Sequence, residues 1–373
     1  MFKKVKIFFS SFRLGEVLIM KAAVIGLGRI GFRNGVDYFS HSSGELESHV
    51  GAIHRSDFFE LSAVCDSKKN LLGDFHQIDP SIEVFNQPKE MFKKTKIELL
   101  TIATRTRGRI SLMQDAINFG IRNFHVEKPL CQSRTELLLI TKILSIEGNI
   151  LFTYGATRRF LEIFQFAKSL CLSKEFGLVK KVLVNMGEKT LFWSHPHSVD
   201  LLLFFLEDYS SPFISYIGEE LQFIEDSKSI FVRNDPIVKQ LEFDFPSGKK
   251  GIITNIESNE IEIELDFAKI VIQQNYNKIV VREISNSDFN TYSFSSEAEG
   301  MSGIRSALSQ HYLSEEHGDP FIKLRRAMLD AIRGQEMMFE ICENVLASQG
   351  IQLSKQEKLK LVYLAESAEG IEA

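Results

Sequence analysis

At 373 residues, with 44% hydrophobic and 25% charged side chains, the chain is too long for one ordinary core and has the composition of a two-domain globular protein. Its net charge of −5 excludes the basic field that draws proteins to nucleic acid or an anionic membrane, and no apolar run approaches the ~20 residues that span a bilayer. The four cysteines, Cys65, Cys131, Cys171 and Cys342, lie far apart, which argues against a CxxC-type metal site and fits free thiols in a reducing, cytoplasmic setting.

Residues 1–19 carry Lys3, Lys4 and Lys6 before a brief apolar patch, which Ser10, Ser11 and Arg13 interrupt without a small-residue cleavage site. We expect the fold to begin at Met20, with 1–19 outside it. Residues 22–25 are a short continuous apolar run, as in a strand buried on both faces of a parallel sheet. Further buried strands are expected at 61–65, 97–103, 123–126 and 150–154, with helices at 109–119, closed by Gly120, and at 134–146. Strands alternating with helices predict a doubly wound parallel sheet over 20–153. Beyond it, 179–186, 241–245 and 260–272 read as longer strands. In the last, Ile261, Ile263, Leu265 and Phe267 alternate with Glu260, Glu262, Glu264 and Asp266, so a second, open-faced and largely antiparallel sheet is expected within 154–373. Helices at 158–173 and 197–207 would cover its apolar face, and 320–366 would form a helical tail.

Gly26-Leu27-Gly28-Arg29-Ile30-Gly31 matches GxGxxG directly after a buried strand and before a helix candidate. The first glycine permits the tight turn, the second lets the backbone approach a pyrophosphate, and the third lets the helix pack on the strand. Asp66, at the end of the next strand, is the candidate for the adenosine ribose. It lies 35 positions after Gly31, against about 20 in the usual pattern, and the excess falls in a polar stretch over 40–56 that reads as a loop insertion. A carboxylate there favours NAD over NADP, while Lys68 and Lys69 beside it leave NADP possible.

With these pieces in place the chain resembles the glucose-fructose oxidoreductase / inositol dehydrogenase (Gfo/Idh/MocA) family. Glu127-Lys128-Pro129 resembles its E-K-P signature, and residues 101–104, ending at Thr104, its cofactor-contacting loop. Val64-Cys65-Asp66 is similar to its V-x-D strand end, and Tyr154 with Arg158-Arg159-Phe160 to its entry into the second domain. His197-Ser198-Val199-Asp200-Leu201-Leu202 resembles its H-x-x-D-L-L helix. The resemblance implies a Rossmann domain followed by an open-faced α/β domain and an NAD(P)-dependent oxidoreductase acting on a sugar, nucleotide sugar or polyol. It also implies a possible homodimer or homotetramer through the open sheet. It places Gly26, Gly28, Arg29, Ile30, Gly31, Asp66, Thr104, Glu127 and Lys128 around the cofactor.

In such a cleft Lys128 would bind the reacting oxygen, and His197 is the candidate acid/base because an imidazole titrates near neutral pH. Arg158, Arg159, Trp193, His195 and Asp200 complete the candidate substrate site; the arginines suit a carboxylate or phosphate. Arg105, Arg107 and Arg109 hint likewise at an anionic substrate, with an exposed basic turn as the plainer alternative. His195 and His197 have the spacing of two metal ligands but no third nearby, so no metal is expected. Trp193 stands where the family usually has a carboxylate four residues before the histidine. That departure keeps a second reading open, a non-catalytic relative that binds NAD and a sugar as a sensor or partner-binding module.

Overall fold

The computed structural model describes residues 19–33, 48–225, 229–284, 289–294, 303–316 and 318–363. The expectations for residues 1–18, and for the first part of the 40–56 stretch, concern residues outside that set.

The first half of the chain builds a six-stranded parallel sheet from β1 (Met20–Ile25), β2 (Phe59–Cys65), β3 (Glu83–Phe85), β4 (Leu99–Ile102), β5 (Asn123–Val126) and β6 (Leu151–Tyr154), in the order 3-2-1-4-5-6. Its helices are α1 (His49–His54), α2 (Lys69–Ile78), α3 (Pro88–Lys94), α4 (Arg109–Asn118) and α5 (Arg134–Ile146). The continuous apolar strands follow from burial on both faces. In β1, Ala23 and Ile25 join one buried cluster with Ile110, Met113 and Leu137, while Ala22 and Val24 join another with Val50 and Phe75. Ser133 starts α5 by accepting a hydrogen bond from the Glu136 amide at 3.2 Å. The described start of the helix candidate after the glycine loop is a π-helical turn over Arg29–Arg33. One reading changes here. The end of the presumed loop insertion is α1, capped by Ser48 and buried against the sheet through Val50, Ala52 and Ile53, because this stretch completes the crossover from β1 to β2.

The second half contains α6 (Glu162–Leu172), β7 (Val179–Asn185), β8 (Lys189–Thr190), α7 (Leu191–Ser194), α8 (Pro196–Leu206), β9 (Phe213–Gly218), β10 (Phe223–Glu225), β11 (Ile230–Val232) and β12 (Ile237–Asp244). These are followed by β13 (Lys250–Thr254), β14 (Glu260–Leu265), β15 (Ala268–Gln273), β16 (Lys278–Glu283), β17 (Phe289–Ser293), α9 (Ile304–Glu316), α10 (Gly318–Ser348), α11 (Lys355–Lys360) and β18 (Leu361–Tyr363). A nine-stranded sheet runs β17-β16-β15-β14-β7-β13-β12-β8, with β9 also paired to β12; only β7 and β13 are parallel. β10, β11 and β18 form a small separate sheet. The expected strand over 260–272 is two, folded into a hairpin at Asp266, whose carboxylate accepts from the Leu178 amide at 2.6 Å. The expected helix over 158–173 is a 3-10 turn, Thr157–Phe160, and then α6. Ile261, Ile263, Ile270 and Ile272 are buried, in a sheet against which α6 packs at β15 and β16 and α8 at β7 and β13. On the opposite face the carboxylates are matched across strands, Glu264 to Lys181 at 3.3 Å and Glu260 to Gln273 at 2.8 Å. The tail returns to the first sheet: Ile304, Leu308 and Tyr312 of α9 pack into the cluster that contains Val24 and Leu61, and α10 lies along β6 and α8.

Candidate active site

The glycine loop at the carboxyl end of β1 fits a dinucleotide. Gly26 has φ +95°, and a Cβ there would come within 2.8 Å of the Ala103 and Thr104 backbone; a Cβ on Gly31 would fall 1.8 Å from the Gly26 carbonyl oxygen. Packing within the protein therefore explains both. It does not explain Gly28, where a side chain would meet nothing within 4 Å, so the open side of the loop is left for a pyrophosphate to approach the backbone. The Thr104 hydroxyl, at the end of β4, is buried with no partner. Asp66 accepts from the Leu27 amide at 2.7 Å and from the Lys68 amide at 2.8 Å, fixing the loop at the end of β2. Arg29 is exposed and Ile30 half-buried.

Lys128 follows β5 at the same sheet edge and is half-buried. Its amine donates to the Trp193 carbonyl at 2.7 Å and lies 3.6 Å from the centre of the Trp193 ring, whose residue is 52% exposed. Burial pushes the Lys128 amine down to about 8, helped by Arg109 and Arg158 and opposed by Glu127 and Asp235. His197, at the start of α8, is half-buried with an unpartnered Nδ1. It is held well below the ordinary imidazole value by burial first and by Arg158 and Lys128 next. The free imidazole value used at the outset thus does not apply, because burial and two cations favour the neutral ring. Arg158 belongs to the same group. Its Nε is buried with no hydrogen-bond partner among the described residues.

Other sequence candidates are placed elsewhere. Arg159 and Asp200 are buried and satisfied by one another: Arg159 Nε donates to Asp200 at 2.8 Å, and its Nη1 lies 2.5 Å from Asp330. The pair is a structural clamp, because neither side chain reaches the cleft. His195 is 1% exposed, bonded to Ser198 at 3.1 Å, and so faces the core. Arg109 is 2% exposed and donates to the carbonyls of Thr104, Glu127 and Pro129, tying the β4 and β5 ends together rather than facing substrate. Arg105 and Arg107 are exposed. Glu127 turns inward, 3.2 Å from His49 Nε2, away from the cofactor position expected for it.

One residue of the site escaped sequence reasoning. Asp235 accepts from the Phe192 amide at 2.6 Å and the Trp193 amide at 3.0 Å, and its charge acts on Lys128. Burial pushes its carboxyl up, against those amide bonds. It thus brings a carboxylate to the neighbourhood that Trp193 vacates, from a loop with no recognisable motif.

A 3-2-1-4-5-6 sheet with a glycine loop after β1 is the architecture of a Rossmann dinucleotide-binding domain. Residues 20–154 match the profile of the oxidoreductase family with an NAD-binding Rossmann fold, the family that the motifs of this segment resemble. Among solved structures the fold is similar to a dehydrogenase from Chromobacterium violaceum, at 16% identity and TM-score 0.68 over 89% of this chain and 97% of that one. It is also similar to an oxidoreductase from Agrobacterium radiobacter in complex with NAD+, L-tartaric acid and magnesium, at 13% identity and TM-score 0.62 over 86% and 94%. A third is the WlbA dehydrogenase from Bordetella pertussis in complex with NADH and UDP-GlcNAcA, at 17% identity and TM-score 0.52 over 68% and 78%. No curated protein matches the sequence.

Proposed function

We propose that the protein moves a hydride between a nicotinamide dinucleotide and a secondary alcohol or ketone of a sugar, nucleotide sugar or polyol. The cofactor unit is 20–153, and the substrate unit 154–373 closes over it. The observation that carries this reading is the position of Lys128, which follows β5 at the same sheet edge as the glycine loop, with its amine against the Trp193 carbonyl and ring and within reach of the charges of Arg158 and His197. When bound, the nicotinamide supplies the hydride acceptor or donor. Lys128 hydrogen-bonds the reacting oxygen and stabilises charge developing there. His197, neutral beside two cations, is ready to take the hydroxyl proton in the oxidation direction. The exposed indole of Trp193 offers a sugar ring an apolar face. Arg158, whose buried Nε has no hydrogen-bond partner among the described residues, suits an anionic substituent on the substrate. The similar structures that hold L-tartaric acid and UDP-GlcNAcA, both anionic and hydroxylated, support that class. Asp66 favours NAD over NADP by repelling a 2′-phosphate.

The test pairs calorimetric titration of NAD+ and NADP+ with turnover on a panel of sugars, uronic acids and nucleotide sugars, followed by nicotinamide absorbance. Lys128→Ala is expected to bind NAD+ as the parent does and to lose roughly 10²–10⁴ in kcat. A variant as fast as the parent removes the assignment. One observation favours the sensor reading: the Lys128 amine is already engaged by the Trp193 carbonyl. Dinucleotide and sugar binding with no turnover anywhere on the panel would select it.

A further inference from the structure

A second constellation lies behind Lys128, inside the first sheet. Val24, Thr101, His125 and Thr153 are register partners across β1, β4, β5 and β6, so their side chains share one face. That face is covered by α1, which brings His49, and by α9, which brings His311. His49, His125 and Glu127 are all buried, and one ligand atom from each lies within 4.8 Å of the others. His49 Nε2 stands 3.2 Å from Glu127 Oε1, close to the ~3.3 Å edge of a tetrahedron with zinc–ligand bonds near 2.0–2.1 Å. His125 Nδ1 meets Thr153 Oγ1 at 2.8 Å, and Thr153 in turn meets His311 Nε2 at 3.1 Å. A metal-bound imidazole is commonly oriented in this way through its other nitrogen. That leaves His125 Nε2 fully buried with no partner, and the Thr101 hydroxyl beside it in the sheet is likewise buried and unpartnered. Polar atoms sealed in a core are almost always paired, so two orphans next to a His-His-Glu set point to a missing ligand.

We propose that His49, His125 and Glu127 hold a zinc-class divalent ion, with Thr153 orienting His125 and Thr101 or a bound water completing the coordination. Two imidazoles and one carboxylate are a zinc ligand set, the kind that in catalytic centres keeps a fourth position open to water; here all three ligands are buried, so that position is shut off from solvent and the centre serves structure. It would pin α1 to the strand end that carries Lys128. His49 comes from the stretch that lengthens the β1–β2 connection, so the extra residues deliver a ligand.

The test uses the full-length chain, produced with zinc and freed of any affinity tag. Elemental analysis is expected to find about one zinc per chain, a strong chelator to lower the melting temperature, and cobalt(II) substitution to give visible bands of tetrahedral strength. His125→Asn is expected to lose the metal. If that variant does not fold, the cobalt spectrum of the parent still decides. Metal well below one equivalent together with no cobalt bands overturns the proposal, as does zinc retained in full by folded His125→Asn, which would mark it as adventitious. NAD+ titration in the same preparations is a separate readout, so a chain that binds dinucleotide but no metal removes this centre and leaves the enzyme reading standing.

Discussion

Two side chains show how local surroundings set chemistry that residue type alone does not. Asp235 grips two adjacent amides and so aims the Trp193 carbonyl at the Lys128 amine. Asp235→Asn keeps the shape but replaces one acceptor with a donor that faces an N–H. Loss of one buried charge-assisted bond costs about 1–3 kcal/mol, so kcat is expected to fall about tenfold or more while the NAD+ dissociation constant holds. An unchanged kcat would show that the Trp193 carbonyl needs no such support. His195 carries a pH signature. Burial pushes it down to about 4 from an ordinary 6.5, against a hydrogen bond to the Lys189 backbone and with a smaller contribution from the Lys189 charge. A histidine that is harder to protonate folded than unfolded contributes stability above pH 6.5 that is lost as pH falls toward 4. At 1.36 kcal/mol per pH unit that loss is roughly 3 kcal/mol. Urea midpoints at pH 7 and pH 4.5 are expected to differ less in His195→Gln than in the parent.

At the scale of single elements, the glycine loop separates a folding requirement from a binding one. Gly31→Ala puts a methyl 1.8 Å from the Gly26 carbonyl, so β1 and the following turn must part, and the variant is expected to be poorly folded. Gly28→Ala meets no protein atom, so its melting temperature should match the parent's while NAD+ affinity drops at least tenfold. Equal affinity in Gly28→Ala would mean that no pyrophosphate approaches this backbone. The contrast also shows what was readable beforehand. The apolar run 22–25, the glycines after it and Val64-Cys65-Asp66 are contiguous, and contiguous patterns report local geometry, so the parallel sheet and its phosphate loop could be read directly. The hairpin at Asp266 could not, because alternation continues through the turn and hides it. Asp235 lies 42 residues from Trp193, and only the fold brings them together. Arg159 was misplaced for a related reason: sequence shows that an arginine is present, while its role depends on whether distant acids neutralise it.

Those acids tie the whole molecule together. Arg159 sits on the turn that leaves the first sheet, Asp200 on α8 beneath the second sheet, and Asp330 on the long α10, which also accepts from Tyr209 at 2.5 Å. One guanidinium thus joins three elements where the halves of the chain meet, and every member is nearly inaccessible to solvent. A buried ion pair is not automatically stabilising, because desolvation offsets much of the attraction, but removing one partner strands the others. Arg159→Met would leave Asp200 and Asp330 without their bonded guanidinium, and the expected loss is about 3–5 kcal/mol in urea unfolding. Adding Asp200→Leu and Asp330→Leu removes those stranded charges and should restore much of it, since a packed apolar trio can replace an ion network of similar volume. Arg159 makes no contact with the cleft, so the triple variant should still bind NAD+ at the loop after β1. Recovery of stability without recovery of dinucleotide binding would show that the clamp positions the first sheet against the second rather than only holding them together.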